Sequence, residues 1–153
     1  MLPVLEKLLS PSAASPQNAA THHTDSELRV SVVFTQIEPT LEALREAGKL
    51  ASRFNASLTL VVAQIVPYPL PLSSPPILLG FNERRFRVVA GQSSVATTVR
   101  IYLCRDREEM LKDVLAPHSL VVMGGRKRWW PTAETRLAWT LRRAGHEVVL
   151  VQQ

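Results

Sequence analysis

A parallel α/β domain is the fold this sequence predicts, and three observations predict it. Uncharged runs rich in β-branched residues, such as 30–34 and 120–123, suit strands buried on both faces of a sheet. Between those runs stand segments with apolar residues three and four apart, the spacing of amphipathic helices. The two kinds of segment alternate along the chain, and strand-helix-strand units of this length form parallel pairs with right-handed crossovers.

The first strand is Val30-Ser31-Val32-Val33-Phe34, β-branched and aromatic as a central strand should be. Glu38-Pro39-Thr40 then supplies helix-start chemistry, since proline suits the first turn. Leu41, Leu44, Ala47, Ala51 and Phe54 mark one face of that helix, and Asn55 stops it. Residues 58–65 are a second apolar strand. The prolines at 67, 69, 71, 75 and 76 make the next stretch an extended loop, a connector over the sheet edge or a lid. Residues 81–96 are predicted as a helix that Gly91 weakens. Residues 99–103 alternate like a half-exposed edge strand, and Asp106-Arg107-Glu108-Glu109 opens a helix with a capping box that Pro117 ends. Residues 120–123 form the fourth strand, 132–144 the last helix, Gly145 its cap and 148–151 the fifth strand.

Residues 10–28 are small, polar and broken by proline, a composition that buries too little surface to offset ordering entropy. Residues 1–28 are therefore expected to be a flexible tail and 29–153 the domain. No export signal is expected, because Glu6 and Lys7 interrupt the apolar start, and no uncharged run is a membrane span. One cysteine, Cys104, leaves no internal disulfide, which fits a reducing cytoplasm. No metal site is expected, although His22 and His23 are adjacent.

The net charge of +5 is uneven: residues 1–80 hold five Lys/Arg and six Asp/Glu, residues 81–153 thirteen and seven. Nucleic acid is not an expected partner, since neither aromatic-rich RNA-binding strand motifs nor a helix-turn-helix pattern is present, and an anionic membrane is not expected either. No nucleophile–base pair is legible, so catalysis is not expected. The strand ending at Met123 runs through Gly124-Gly125 into Arg126-Lys127-Arg128 ahead of a helix, an order in which backbone N–H groups can hold an anion. Trp129 and Trp130 follow, placed either to stack on a base or to pack against the last helix or a partner; Trp139 is expected in a core or an interface.

Over residues 29–151 the chain resembles the universal stress protein family. Residues 30–44 look like its first strand and helix opening, 58–62 like its second strand, and Val121-Val122-Met123-Gly124 with Leu150-Val151 like its last two strands. The resemblance implies a doubly wound five-stranded parallel sheet of the adenine-nucleotide alpha-hydrolase-like kind, strand order 3-2-1-4-5. It also implies a ligand crevice between the first and fourth of these strands and a homodimer joined through the last. The implied cofactor is ATP or AMP, and the positions that answer to the family's site are Thr35, Thr40, Gly124, Gly125, Arg126, Lys127 and Thr135. Thr35 stands where ATP-binding members carry Asp, Lys127 replaces a loop glycine, and Glu134-Thr135 replaces the final Gly-Ser. A side chain at 127 intrudes where backbone should approach phosphate, and Glu134 adds negative charge nearby. The expectation is a non-catalytic stress-response or regulatory module with weakened or lost ATP binding. The alternative is a ligand-free protein-interaction domain using Trp129, Trp130 and the basic loop.

Overall fold

The computed structural model describes residues 6–9 and 28–153. The elements in chain order are β1 (Glu6–Leu9), β2 (Arg29–Val33), α1 (Ile37–Phe54), β3 (Ser57–Ile65), α2 (Leu79–Ala90), β4 (Thr97–Cys104), α3 (Arg107–Val114), β5 (Leu120–Gly125), α4 (Ala133–Arg143) and β6 (Glu147–Gln152). They build one sheet in the order β1-β4-β3-β2-β5-β6. All pairs among β2 to β6 are parallel. Taken without β1 and numbered from β2, this is the predicted order 3-2-1-4-5.

Two cores sandwich the sheet. On one face Val30, Val32, Leu60 and Ile101 meet Leu44 and Ala47 of α1 and Phe86 of α2. On the other, Val33, Val61, Val121 and Met123 meet Met110 and Leu111 of α3 and Leu137 and Leu141 of α4. Val30, Val32, Leu60, Val121, Val122 and Met123 have no exposed surface, which is why the central strands carry almost no charged residue. Among the described residues, the short α3 leaves part of its face open as a cavity of about 270 Å3 that includes Ser31, Thr59 and Thr98.

Local chemistry explains the helix ends. Asn55 sits in the left-handed region at φ 49° and closes α1, its N–H meeting late carbonyls of the helix. Asp106 accepts from the Glu109 N–H at 3.0 Å, and the Thr132 hydroxyl accepts from the Thr135 N–H at 3.3 Å. After α4, Gly145 takes φ +97°, a conformation open to glycine and strained for a side chain.

The structure departs from the sequence reading in four places. Glu6–Leu9, assigned to the tail, is a strand antiparallel to β4, while residues 1–5 and 10–27 lie outside the described residues. As a result β4 is not the edge: it lies between β1 and β3, and Val99, Ile101, Tyr102 and Leu103 are buried. The helix expected over 81–96 is shifted and shortened to Leu79–Ala90, because Gly91 and the two serines after it do not sustain it. Trp139, expected in a core or an interface, is not in the core: it projects outward with 60% of its surface exposed.

At the amino end of the parallel strands the Ser119 hydroxyl lies 3.1 Å from His146 Nδ1, and His118 Nδ1 lies 3.1 Å from the Gly145 carbonyl. Burial, with a contribution from nearby His118, pushes the His146 imidazole below its ordinary value near 6.5. The neutral ring is the folded form, so the unfolded chain takes up the proton more readily. Stability from this ring is complete above pH 6.5 and is lost as pH falls toward the lowered folded value. Urea unfolding at descending pH should show a falling midpoint through that window, and His146→Gln should flatten the fall; an unchanged slope in the variant would remove His146 as its source.

Candidate functional site

In an open parallel sheet, ligands sit at the carboxyl ends of strands where strand order reverses. Here that place lies between β2 and β5, beneath the first turn of α1. Thr35, two residues beyond β2, receives backbone and side-chain contacts that lock the mouth of this crevice. Its N–H donates to Thr40 Oγ1 at 3.1 Å, and its hydroxyl donates to the Gly124 carbonyl at 2.8 Å. Thr40 is fully buried. Beside these bonds the backbones themselves touch: a Cβ on Gly124 would lie 1.9 Å from the Pro39 carbonyl oxygen and 2.3 Å from its carbon. Gly124 is thus required for α1 to approach β5, whereas a Cβ on Gly125 would meet Glu134 and Leu150 at an ordinary 3.5 Å. On the α1/α2 face, Phe34 packs edge-on against Phe86 with ring centroids 4.8 Å apart.

The loop beyond β5 stays paired with the C-terminal residue at its start. Its first residues prolong the sheet: Gln153 N–H donates to the Gly125 carbonyl at 3.3 Å and Lys127 N–H to the Gln153 carbonyl at 2.9 Å. The backbone of Lys127 is thereby spent on the β6 side. A cavity of about 300 Å3 opens next to it, between the starts of α1 and α4. Pro39, Gly124 and Gly125 line it together with Arg126, Arg128, Trp130 and Glu134. Arg126 Nη2 stands 3.7 Å from Glu38 Oε2, an exposed pair worth little to stability. Trp130 forms part of the wall while 63% exposed, and Trp129 is 95% exposed.

Of the seven site residues read from sequence, the structure brings Gly124, Gly125 and Arg126 together in the cavity. Thr35 and Thr40 are adjacent but face each other and Gly124, Lys127 lies outside the cavity lining, and Thr135 is bound up in the Thr132 cap, with hydroxyls 3.2 Å apart. Gln36, Pro39 and Thr132 line the cavity and were not singled out. Pro39 had a local signal, its place in a first helical turn, but its contact with Gly124 joins remote parts of the chain.

Other reactive groups are insulated. Burial pushes the Cys104 thiol up to about 11, with Asp106 adding to the effect and Arg107 opposing it, so little thiolate is present at neutral pH. Ser119 and His146 are buried at the opposite end of the strands, where no described carboxylate hydrogen-bonds the ring. Among the described residues no group of His, Cys, Asp or Glu has the clustering a metal ion needs. The proline loop is tied down by Gln64 Nε2 donating to Ile77 carbonyl at 3.0 Å and Arg105 donating to Val66 carbonyl at 2.7 Å. Arg105 also stacks over Tyr68 at 4.1 Å.

Gly124→Ala should lower stability by about 1–3 kcal/mol or more, because backbone atoms must move. Gly125→Ala should stay within about 1 kcal/mol. Urea midpoints of the two variants measure the difference; equal midpoints would contradict the close approach at Pro39.

No protein-family model matches the chain, and no curated protein matches it. Solved structures do. A universal stress protein from Archaeoglobus fulgidus superposes with a TM-score of 0.57 at 13% identity, covering 81% of this chain and 93% of that one. A universal-stress-family protein from Burkholderia pseudomallei gives 0.54 at 24% identity, covering 80% and 94%. A universal stress protein solved in complex with cAMP gives 0.50 at 19% identity, covering 84% and 98%. Strand order, crevice and superposition agree that this chain has the fold of the universal stress proteins.

Proposed function

We propose that the chain is a divergent universal stress protein acting as a non-catalytic regulatory or stress-response module, with ATP binding at the β2/β5 crevice weakened or lost. The observation that carries the reading is the Thr35 hydroxyl bonded to the Gly124 carbonyl at 2.8 Å, beside the Pro39–Gly124 contact. That bond joins the two strand ends between which a nucleotide would enter. The other residues fit a triphosphate poorly. Lys127 commits its N–H to Gln153, Thr132 already caps α4, and acidic Glu134 lines the cavity. Arg126 and Arg128 remain as side-chain charges, which hold phosphate with less geometric selectivity and more sensitivity to salt. A nucleotide does occupy this fold in the universal stress protein solved with cAMP, so the fold itself is no obstacle.

The module acts in the cytoplasm through partner contact rather than turnover, as a homodimer joined at β6. Support for the pairing is the position of β6 at the end of the sheet. Its outward residues alternate, Val148, Leu150 and Gln152, because Glu147 and Gln153 bond inward to β5. Arg142 donates to the Val148 carbonyl at 2.9 Å and occupies one of these outward groups. No described helix is long and apolar enough to cross a membrane. A second reading, a ligand-free interaction domain, draws on the exposure of Trp129 and Trp130.

Titration with ATP, AMP, cAMP and inorganic phosphate at two salt concentrations, followed by tryptophan fluorescence, tests the first reading. Trp130 lines the cavity and reports on it. No saturable response to ATP below millimolar concentration is expected. Micromolar quenching by ATP that survives high salt would overturn the loss of the site.

A further inference from the structure

We propose that the loop before α4 and the outer face of that helix bind single-stranded nucleic acid. From Arg126 to Arg143 the chain carries six Lys/Arg and a single acidic residue, Glu134. All three tryptophans of the protein lie in this stretch, and they are 95%, 63% and 60% exposed at Trp129, Trp130 and Trp139. An indole is costly to leave in water, and three of them interleaved with cations form the combination that holds a single strand: rings for bases to stack on and charges to track phosphates.

Helical spacing aligns the parts. Thr132, Arg136, Trp139 and Arg143 follow each other at intervals of four, three and four, so they share one stripe, while Leu137, Ala138 and Leu141 are buried against the sheet. The loop with Trp129 and Trp130 enters at the N-terminal end of that stripe. There the cavity of about 300 Å3, walled by Trp130 with Arg126 and Arg128, is concave and large enough for one nucleotide unit. Among the described residues Lys127, Arg128, Arg136 and Arg143 make no salt bridge, leaving four cations available to phosphates. Arg126 near Glu38 and Arg142 on the Val148 carbonyl are already engaged.

Charge and shape select this occupant. A second copy of the same face would bring like charges together. An anionic bilayer favours a joined apolar patch that can enter the hydrocarbon boundary, whereas here Trp139 stands between Arg136 and Arg143, and Trp130 lines a concavity. The expectation from sequence against nucleic acid rested on missing strand aromatics and a missing helix-turn-helix. Neither bears on a stacking platform along a helix, and the exposure of Trp139 was not legible.

Fluorescence anisotropy of labelled oligothymidylates and oligouridylates of about 3, 6 and 12 nucleotides tests the proposal. Affinity should rise with length, and log K against log salt should fall with a slope of about −2 to −3, as three or four neutralised phosphates require. Trp139→Ala, at an exposed position, should weaken the longest oligomer about fivefold or more. Arg136→Glu combined with Arg143→Glu should reduce both affinity and slope, with circular dichroism confirming the fold of each variant. The proposal fails if the longest oligomer binds no more tightly than thymidine monophosphate, if the variants bind like the parent, or if only phosphatidylglycerol vesicles retain the protein. Tight ATP binding in the parallel titration would sink the lost-nucleotide reading and leave this one standing, since Arg136, Trp139 and Arg143 lie along α4 outside the cavity lining and the variants there test them separately.

Discussion

The rest of the structure depends on two backbones meeting without a side chain between them, Gly124 at the end of β5 and Pro39 in the first turn of α1. That approach brings α1 down over the junction of β2 and β5 and lets Thr35 reach the Gly124 carbonyl. It also sets where the chain leaves the sheet, and hence where the basic loop and α4 begin. One missing Cβ therefore links the packing of the central strands to the shape of the cavity beside them.

The same geometry separates two kinds of binding surface. At the strand ends, hydrogen bonds among Thr35, Thr40 and Gly124 satisfy groups that a ligand would otherwise recruit. Along α4 the reverse holds: cations and indoles face water with few partners. On the proposed reading, recognition rests on exposed side chains, which discriminate by charge and stacking, rather than on buried backbone donors, which discriminate by geometry.

How far sequence reaches depends on whether the cause is local. The alternation of strands and helices, the Asn55 and Gly145 terminators and the Asp106 cap were legible, because each rests on residues a few positions apart. So were the central strands, whose lack of charge follows from burial on both faces. What escaped was set by distant pairing. Residues 99–103 read as an edge because nothing nearby announces that Glu6–Leu9 pairs with them. The cavity was half legible for the same reason: Gly124, Gly125 and Arg126 are consecutive at the end of β5, but Pro39 and Gln36 arrive from the other end of the domain. Lys127 was expected at the site because the resemblance puts it in place of a loop glycine; its N–H instead donates to the Gln153 carbonyl beyond β6.

The guanidinium of Arg142 on the Val148 carbonyl has a consequence for solubility. An edge strand rich in valine is a template for open-ended strand addition, the route to aggregation. A cation fixed on the first outward carbonyl shortens the ladder available to an incoming strand and places charge in its path. A paired partner in a fixed register can accommodate that charge, whereas an arbitrary strand sliding along the edge meets it in every register that includes Val148, so the contact disfavours indefinite stacking while leaving a closed pair accessible.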